Sequence, residues 1–174
     1  MRKTGWFKSV LLAGVLSGPQ MLVRAAPAAV PQTQASQSDQ MFLKQALGVN
    51  EEEVQLGRLA AERAGTPKVK AMGEKMVQNH TRLGKQLSDL AGKLGVSGTA
   101  ELSPDQRDTL ARVRARSGAD FDAAFKQTVD DGHVKELAMY RGELSLTGNP
   151  QLRALAETRV EALEKSLREG QVAK

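Results

Sequence analysis

Three prolines set the outline of this chain. Thr66-Pro67, Ser103-Pro104 and Asn149-Pro150 each place a capping residue directly before a proline. A Ser, Thr or Asn side chain satisfies one of the N–H groups left over at a helix start. Proline suits the first helical position because the N–H it lacks has no partner there. From Ser38 onward no alternating apolar pattern suggests a strand, and helices are expected at about 39–64, 67–94, 104–116, 120–147 and 150–170. Four are long and the third is short.

The apolar spacing agrees with these bounds. In the second helix Val69, Met72, Met76, Leu83, Leu87, Leu90 and Leu94 recur at steps of three or four, with His80 filling the one gap in the stripe. The first helix repeats this with Phe42, Ala46, Val49, Glu53, Leu56 and Ala60, and the fourth with Phe121, Phe125, Val129, His133, Leu137, Tyr140 and Leu144. Short connections at 65–66 and 148–149 make each long pair an antiparallel hairpin. The expected fold is an all-α four-helix bundle of two such hairpins, with the short helix in the crossover. A shift of 83 residues superposes Phe42 on Phe125, Glu53 on Glu136, Arg58 on Arg141, Gly65 on Gly148 and Pro67 on Pro150. The bundle therefore reads as two copies of one hairpin, too few for a solenoid.

Ahead of the helices lies a different kind of sequence. Met1–Lys8 is basic, Ser9–Ser17 is a short apolar run, and Val23-Arg24-Ala25 offers small residues at a cleavage spacing. Residues 1–25 read as a secretory signal peptide, because a spanning helix needs about 20 apolar residues and this run ends at Gly18-Pro19. Residues 26–37, rich in Pro, Ala, Gln and Ser, read as a flexible linker, 38–170 as the bundle and 171–174 as a tail. The formal charge of +5 belongs largely to the leader, which holds four basic residues and no acidic one. The mature chain then carries 21 bases against 20 acids, which removes the case for a nucleic-acid partner. With no Cys there is no disulfide, no thiolate metal site and no thiol nucleophile. The expected location is the periplasm, with outer-membrane association left open and no stable membrane insertion after cleavage.

Only two histidines exist, His80 and His133, and both fall on or beside the inner stripes, as do Glu53 and Glu136. Counted from the hairpin turns, the four differ in depth by about 4–5 Å at a 1.5 Å rise per residue, so they are expected to form one polar layer. Imidazole and carboxylate donors together suit Zn, Fe, Mn or Cu. The favoured reading is structural: a buried histidine donates a charge-assisted hydrogen bond to a glutamate on the facing helix, with no cofactor required. A di-iron centre would need Glu-x-x-His on two helices, and Val77 and Val160 stand where those histidines belong after Glu74 and Glu157. No phosphate loop, nucleophile elbow, HExxH or calcium loop is present, so no enzyme activity is expected. Arg107, Arg112, Arg114 and Arg116 read as a solvated helix face. Met41, Met72, Met76 and Met139 read as core filler, and the glycines within helices as close crossings or local irregularities.

Phe42, Glu53-Val54-Gln55-Leu56-Gly57, Val69-Lys70, Met76-Val77-Gln78-Asn79-His80, Phe121-Asp122 and the helix entering His133 together resemble the exported domain-of-unknown-function family 4142 over about residues 38–170. The resemblance implies a ferritin-like bundle of the outer membrane or periplasm, with no assigned activity. The sequence departs from the family pattern at Asn79, in place of an acidic residue; at Gly132, which interrupts an Asp-His pair; and at Ser166, in place of a third histidine. The expectation is a non-enzymatic envelope protein that binds a partner, or itself, or supports stress tolerance. The alternative is a metal-binding bundle using Glu53, His80, His133 and Glu136.

Overall fold

A computed structural model of the protein describes residues 35–172. The expected leader and all but the end of the linker lie outside the described residues. Five helices follow in order: α1 (Gln37–Arg63), α2 (Pro67–Lys93), α3 (Pro104–Arg114), α4 (Gly118–Leu146) and α5 (Pro150–Val172), with no strand among the described residues. α1 and α2 pack as one antiparallel hairpin and α4 and α5 as the other. The hairpins meet mainly through α1 and α4, and α3 lies in the crossover against both.

The helix starts follow from local chemistry. Ser36 and Asp39 form a reciprocal capping box, the Ser36 hydroxyl accepting from Asp39 N at 3.1 Å and the Asp39 carboxylate from Ser36 N at 2.9 Å. α1 therefore begins inside the stretch expected to be linker. Thr66, Ser103 and Asn149 each accept a backbone N–H of the following helix, and Pro67, Pro104 and Pro150 stand at its first position. α4 is the exception, because Ser117 makes no side-chain cap. Its start is instead tied to the first hairpin turn: Asp122 accepts from Gly65 N at 2.8 Å and from the Thr66 hydroxyl at 2.6 Å. The Thr66 hydrogen bond, joined by backbone donors at Gly65 and Thr66, holds the Asp122 carboxyl below the usual carboxylate range despite its burial. Gly118 starts the helix at φ +57°, a left-handed conformation that glycine adopts without steric cost.

The core is divided into two clusters. One gathers Leu43, Leu47, Leu87, Tyr140, Leu152 and Leu163, with Phe42 and Tyr140 meeting edge to face at 5.0 Å. The other gathers Leu56, Val69, Met76, Leu110, Phe121 and Phe125. Between these clusters α1, α2 and α4 bury polar side chains: Asn50 and Glu53, His80, and Glu136.

Several side chains depart from expectation. Met41 is 65% exposed and Met72 37%, so neither fills the core; each lies at the edge of its helix's apolar face, where solvent replaces a packing partner. Leu83 and Val49 are half-buried. On α4 the buried face runs through Glu136 and Glu143 rather than through His133, Leu137 and Leu144, which are half-buried. Two of the glycines do mark a close crossing: a Cβ on Gly73 would stand 2.6 Å from Gly57 O, and one on Gly57 2.8 Å from Gly73 O, so α1 and α2 approach backbone to backbone there.

Candidate metal centre

The polar layer is built by three helices. α1 supplies Glu53, α2 supplies His80 and α4 supplies His133, and one ligand atom of each lies within 4.8 Å of the other two. Glu53 and His80 are 3% and 4% exposed, and His133 is half-buried. Each comes from the position in its helix where the apolar stripe is interrupted, which is why all three arrive at the same depth. Of the four residues expected to share this layer, Glu136 alone is turned to other work. Arg159 of α5 grips it with two hydrogen bonds, Nε to Oε1 at 2.8 Å and Nη2 to Oε2 at 2.6 Å.

The expected histidine–glutamate hydrogen bond is not the arrangement found. His80 Nδ1 lies 3.2 Å from Asn50 Oδ1, one turn before Glu53 on α1. An amide oxygen only accepts, so Nδ1 carries the proton and Nε2 is left with a free lone pair. His133 Nδ1 lies 3.2 Å from the hydroxyl of Ser166 on α5. Both rings are thus held at one nitrogen, the arrangement in which an outer partner orients an imidazole for a ligand at the other. Glu53 keeps one buried carboxylate oxygen, Oε2, with no hydrogen-bond partner.

The electrostatics favour neutral side chains. Burial, then the Arg159 cation and the neighbouring His133, push His80 down to about 3. Burial lowers His133 as well, against the opposing pull of Glu136. Glu53 is raised well above the ordinary carboxylate value, first by burial and then by the like charge of Glu136, with Arg159 offsetting part of this. Burial thus disfavours charge on all three side chains, and a bound cation would supply the opposite charge that lets the Glu53 carboxyl group ionise.

Asn50, Arg159 and Gly132 complete the site, and none was expected there. The 83-residue shift carried a signal for the first, since it sets Asn50 opposite His133 as it sets Glu53 opposite Glu136. Arg159 falls at helical spacing among Leu152, Ala156 and Leu163, a lone cation in a buried stripe. A Cβ on Gly132 would stand 3.0 Å from Glu53 Oε1, so glycine there leaves room for the carboxyl group against α4.

A family model described as a domain of unknown function, DUF4142, matches residues 24–172. Solved structures share the fold. A DUF305 fragment from Deinococcus radiodurans is 16% identical, with 80% of this chain and 97% of that chain covered and a TM-score of 0.71. CopM in its Cu(I)-bound form is 15% identical, covering 79% and 94%, with a TM-score of 0.66. A DUF305 protein from Streptomyces coelicolor, described as secreted, is 12% identical, covering 74% and 85%, with a TM-score of 0.65. At these identities the likeness establishes the fold alone. Curated proteins give no sequence match to this chain.

Proposed function

The chain belongs to the DUF4142 family, and we propose that it is an exported, non-enzymatic helical bundle that binds one transition-metal ion through Glu53, His80 and His133. The observation that carries this reading is the convergence of three potential ligand atoms, from three helices, within 4.8 Å in a buried layer. Glu53 Oε2 lies in this buried layer without a hydrogen-bond partner, which supports a ligand role for it. Two imidazoles and one carboxylate are a donor set for divalent Zn, Fe, Mn or Cu. CopM, a neighbour of the same fold, is described in a copper-bound form, which supports the bundle as a scaffold for a metal ion. Export is proposed on the basic and apolar start of the sequence, with a secreted protein among the fold neighbours in support. Among the described residues no helix is long and apolar enough to cross a membrane.

The test is the metal content and N-terminal sequence of untagged protein taken from the periplasmic fraction. The mature chain is expected to start near Ala26 and to hold about one equivalent of metal that survives dialysis and raises the melting temperature. His80→Ala, His133→Ala and Glu53→Gln are each expected to lose both the metal and the thermal shift. The structural reading keeps a specific foothold in the Asn50–His80 hydrogen bond and the Glu136–Arg159 pair, which need no ion. It prevails if wild-type protein takes up no Zn, Fe, Mn or Cu and His80→Leu is as stable as wild type.

A further inference from the structure

A cavity of about 580 Å³ opens between α1, the segment at 101–103, α3 and α4. Glu53 and Glu136 both line it, although each is only 3% exposed, so they form its floor rather than its rim. Gly132 lines it beside them, and a side chain there would press on Glu53 Oε1. Neither histidine reaches the cavity, which leaves Glu53 as the one member of the three-ligand cluster that faces both ways. Glu136 is already paired with Arg159 and Glu53 lies on the floor, so the walls carry Glu52, Glu101 and Asp105 against Lys44 and Lys135.

We infer that this cavity is the loading route of the centre: a hydrated divalent cation enters beside Gly132, is met by the Glu53 carboxylate and passes to His80 and His133. The inference rests on the metal-site reading above and adds to it a direction of approach. Glu53 is both the first protein ligand the ion meets and one of its final three, so no further side chain has to carry the ion inward. The competing approach is past His133, which is half-buried.

Because the chain has no cysteine, a single introduced thiol can be labelled uniquely. Lys135→Cys places it on the cavity, and Lys75→Cys places it on the exposed face of α2, away from the cavity. Each variant is coupled to a bulky polyethylene-glycol maleimide, and Co²⁺ uptake by the full mature chain is followed by stopped-flow absorption. Labelled Lys135→Cys is expected to bind the same one equivalent about tenfold more slowly or worse, and labelled Lys75→Cys to load at close to the wild-type rate. Thr109→Trp, which narrows the cavity from α3 without touching a ligand, is expected to slow loading in the same way. Unchanged rates in both cavity variants, with full stoichiometry, would overturn the route and leave the site intact. Failure of wild-type protein to bind Co²⁺ at all would overturn the site and the route together.

Discussion

At the scale of single residues, the layer between the two core clusters depends on Arg159. A guanidinium 14% exposed at its side chain is paired with a carboxylate 2% exposed, and the pair is bidentate. Such a pair adds little over an apolar replacement of both partners, but removing one partner strands a buried charge. Arg159→Met is therefore expected to lower stability in urea unfolding by about 3–5 kcal/mol, and adding Glu136→Leu to recover most of that loss. A single-variant loss within about 0.5 kcal/mol would mean that Glu136 finds solvent when its partner is gone. Arg159 also acts at a distance, since its charge helps to lower both histidines and to restrain the rise at Glu53.

At the scale of elements, glycines separate two kinds of helix contact. Gly142 in α4 has open space where a Cβ would stand, so Gly142→Ala is expected to raise stability by about 0.5–1 kcal/mol through helix propensity alone. Gly73 in α2 would bring its Cβ within 2.6 Å of both Ala60 Cβ and Gly57 O, so the same substitution is expected to cost about 1–3 kcal/mol by forcing α1 and α2 apart. Chemical denaturation of the two variants checks the contrast. Equal effects would mean that α1 and α2 are not in backbone contact at Gly57 and Gly73. The second hairpin needs no matching glycine pair, because Ala156 stands where the 83-residue shift carries Gly73.

At the scale of the whole molecule, stability against pH is set by buried groups at one end of the bundle and in its middle. Glu143 of α4 sits beside Asp39 of α1; burial first, and then Asp39, push it up to about 7 from the ordinary glutamate value. The folded chain therefore keeps a proton that the unfolded chain releases from about pH 4.5 upward. The stability contributed by Glu143 is full below that pH and falls as the pH rises towards 7. His80 has the opposite sign: its contribution is full above pH 6.5 and falls as the pH drops towards 3. Glu143→Gln keeps a hydrogen-bond donor towards Asp39 and removes the proton. Its stability relative to wild type is expected to climb between about pH 4.5 and 7 and then level off, as read by urea unfolding in the presence of a chelator. A difference that stays flat across this range would show that Asp39 and Glu143 share no proton.

What the sequence determined by itself was whatever depends on neighbours along the chain. Thr66-Pro67, Ser103-Pro104 and Asn149-Pro150 stated where three helices begin, and the spacing of Phe42 to Ala60 and of Val69 to Leu94 stated which faces turn inward. The depth of Glu53, His80 and His133 was legible for the same reason, since rise per residue along a helix is nearly constant. Partnership across helices was not. Whether Glu136 meets a histidine or Arg159, and whether His80 meets Glu53 or Asn50, depends on the rotation of each helix and on the offset between hairpins. Those are set by the summed packing of Leu43, Leu87, Phe125, Leu152 and their neighbours, contacts between residues far apart in the chain. The same rotation left Met72 largely outside the core although its spacing fits the α2 stripe. Tertiary packing also opened the cavity over Glu53, because a space between α1, α3 and α4 has no counterpart in any one segment.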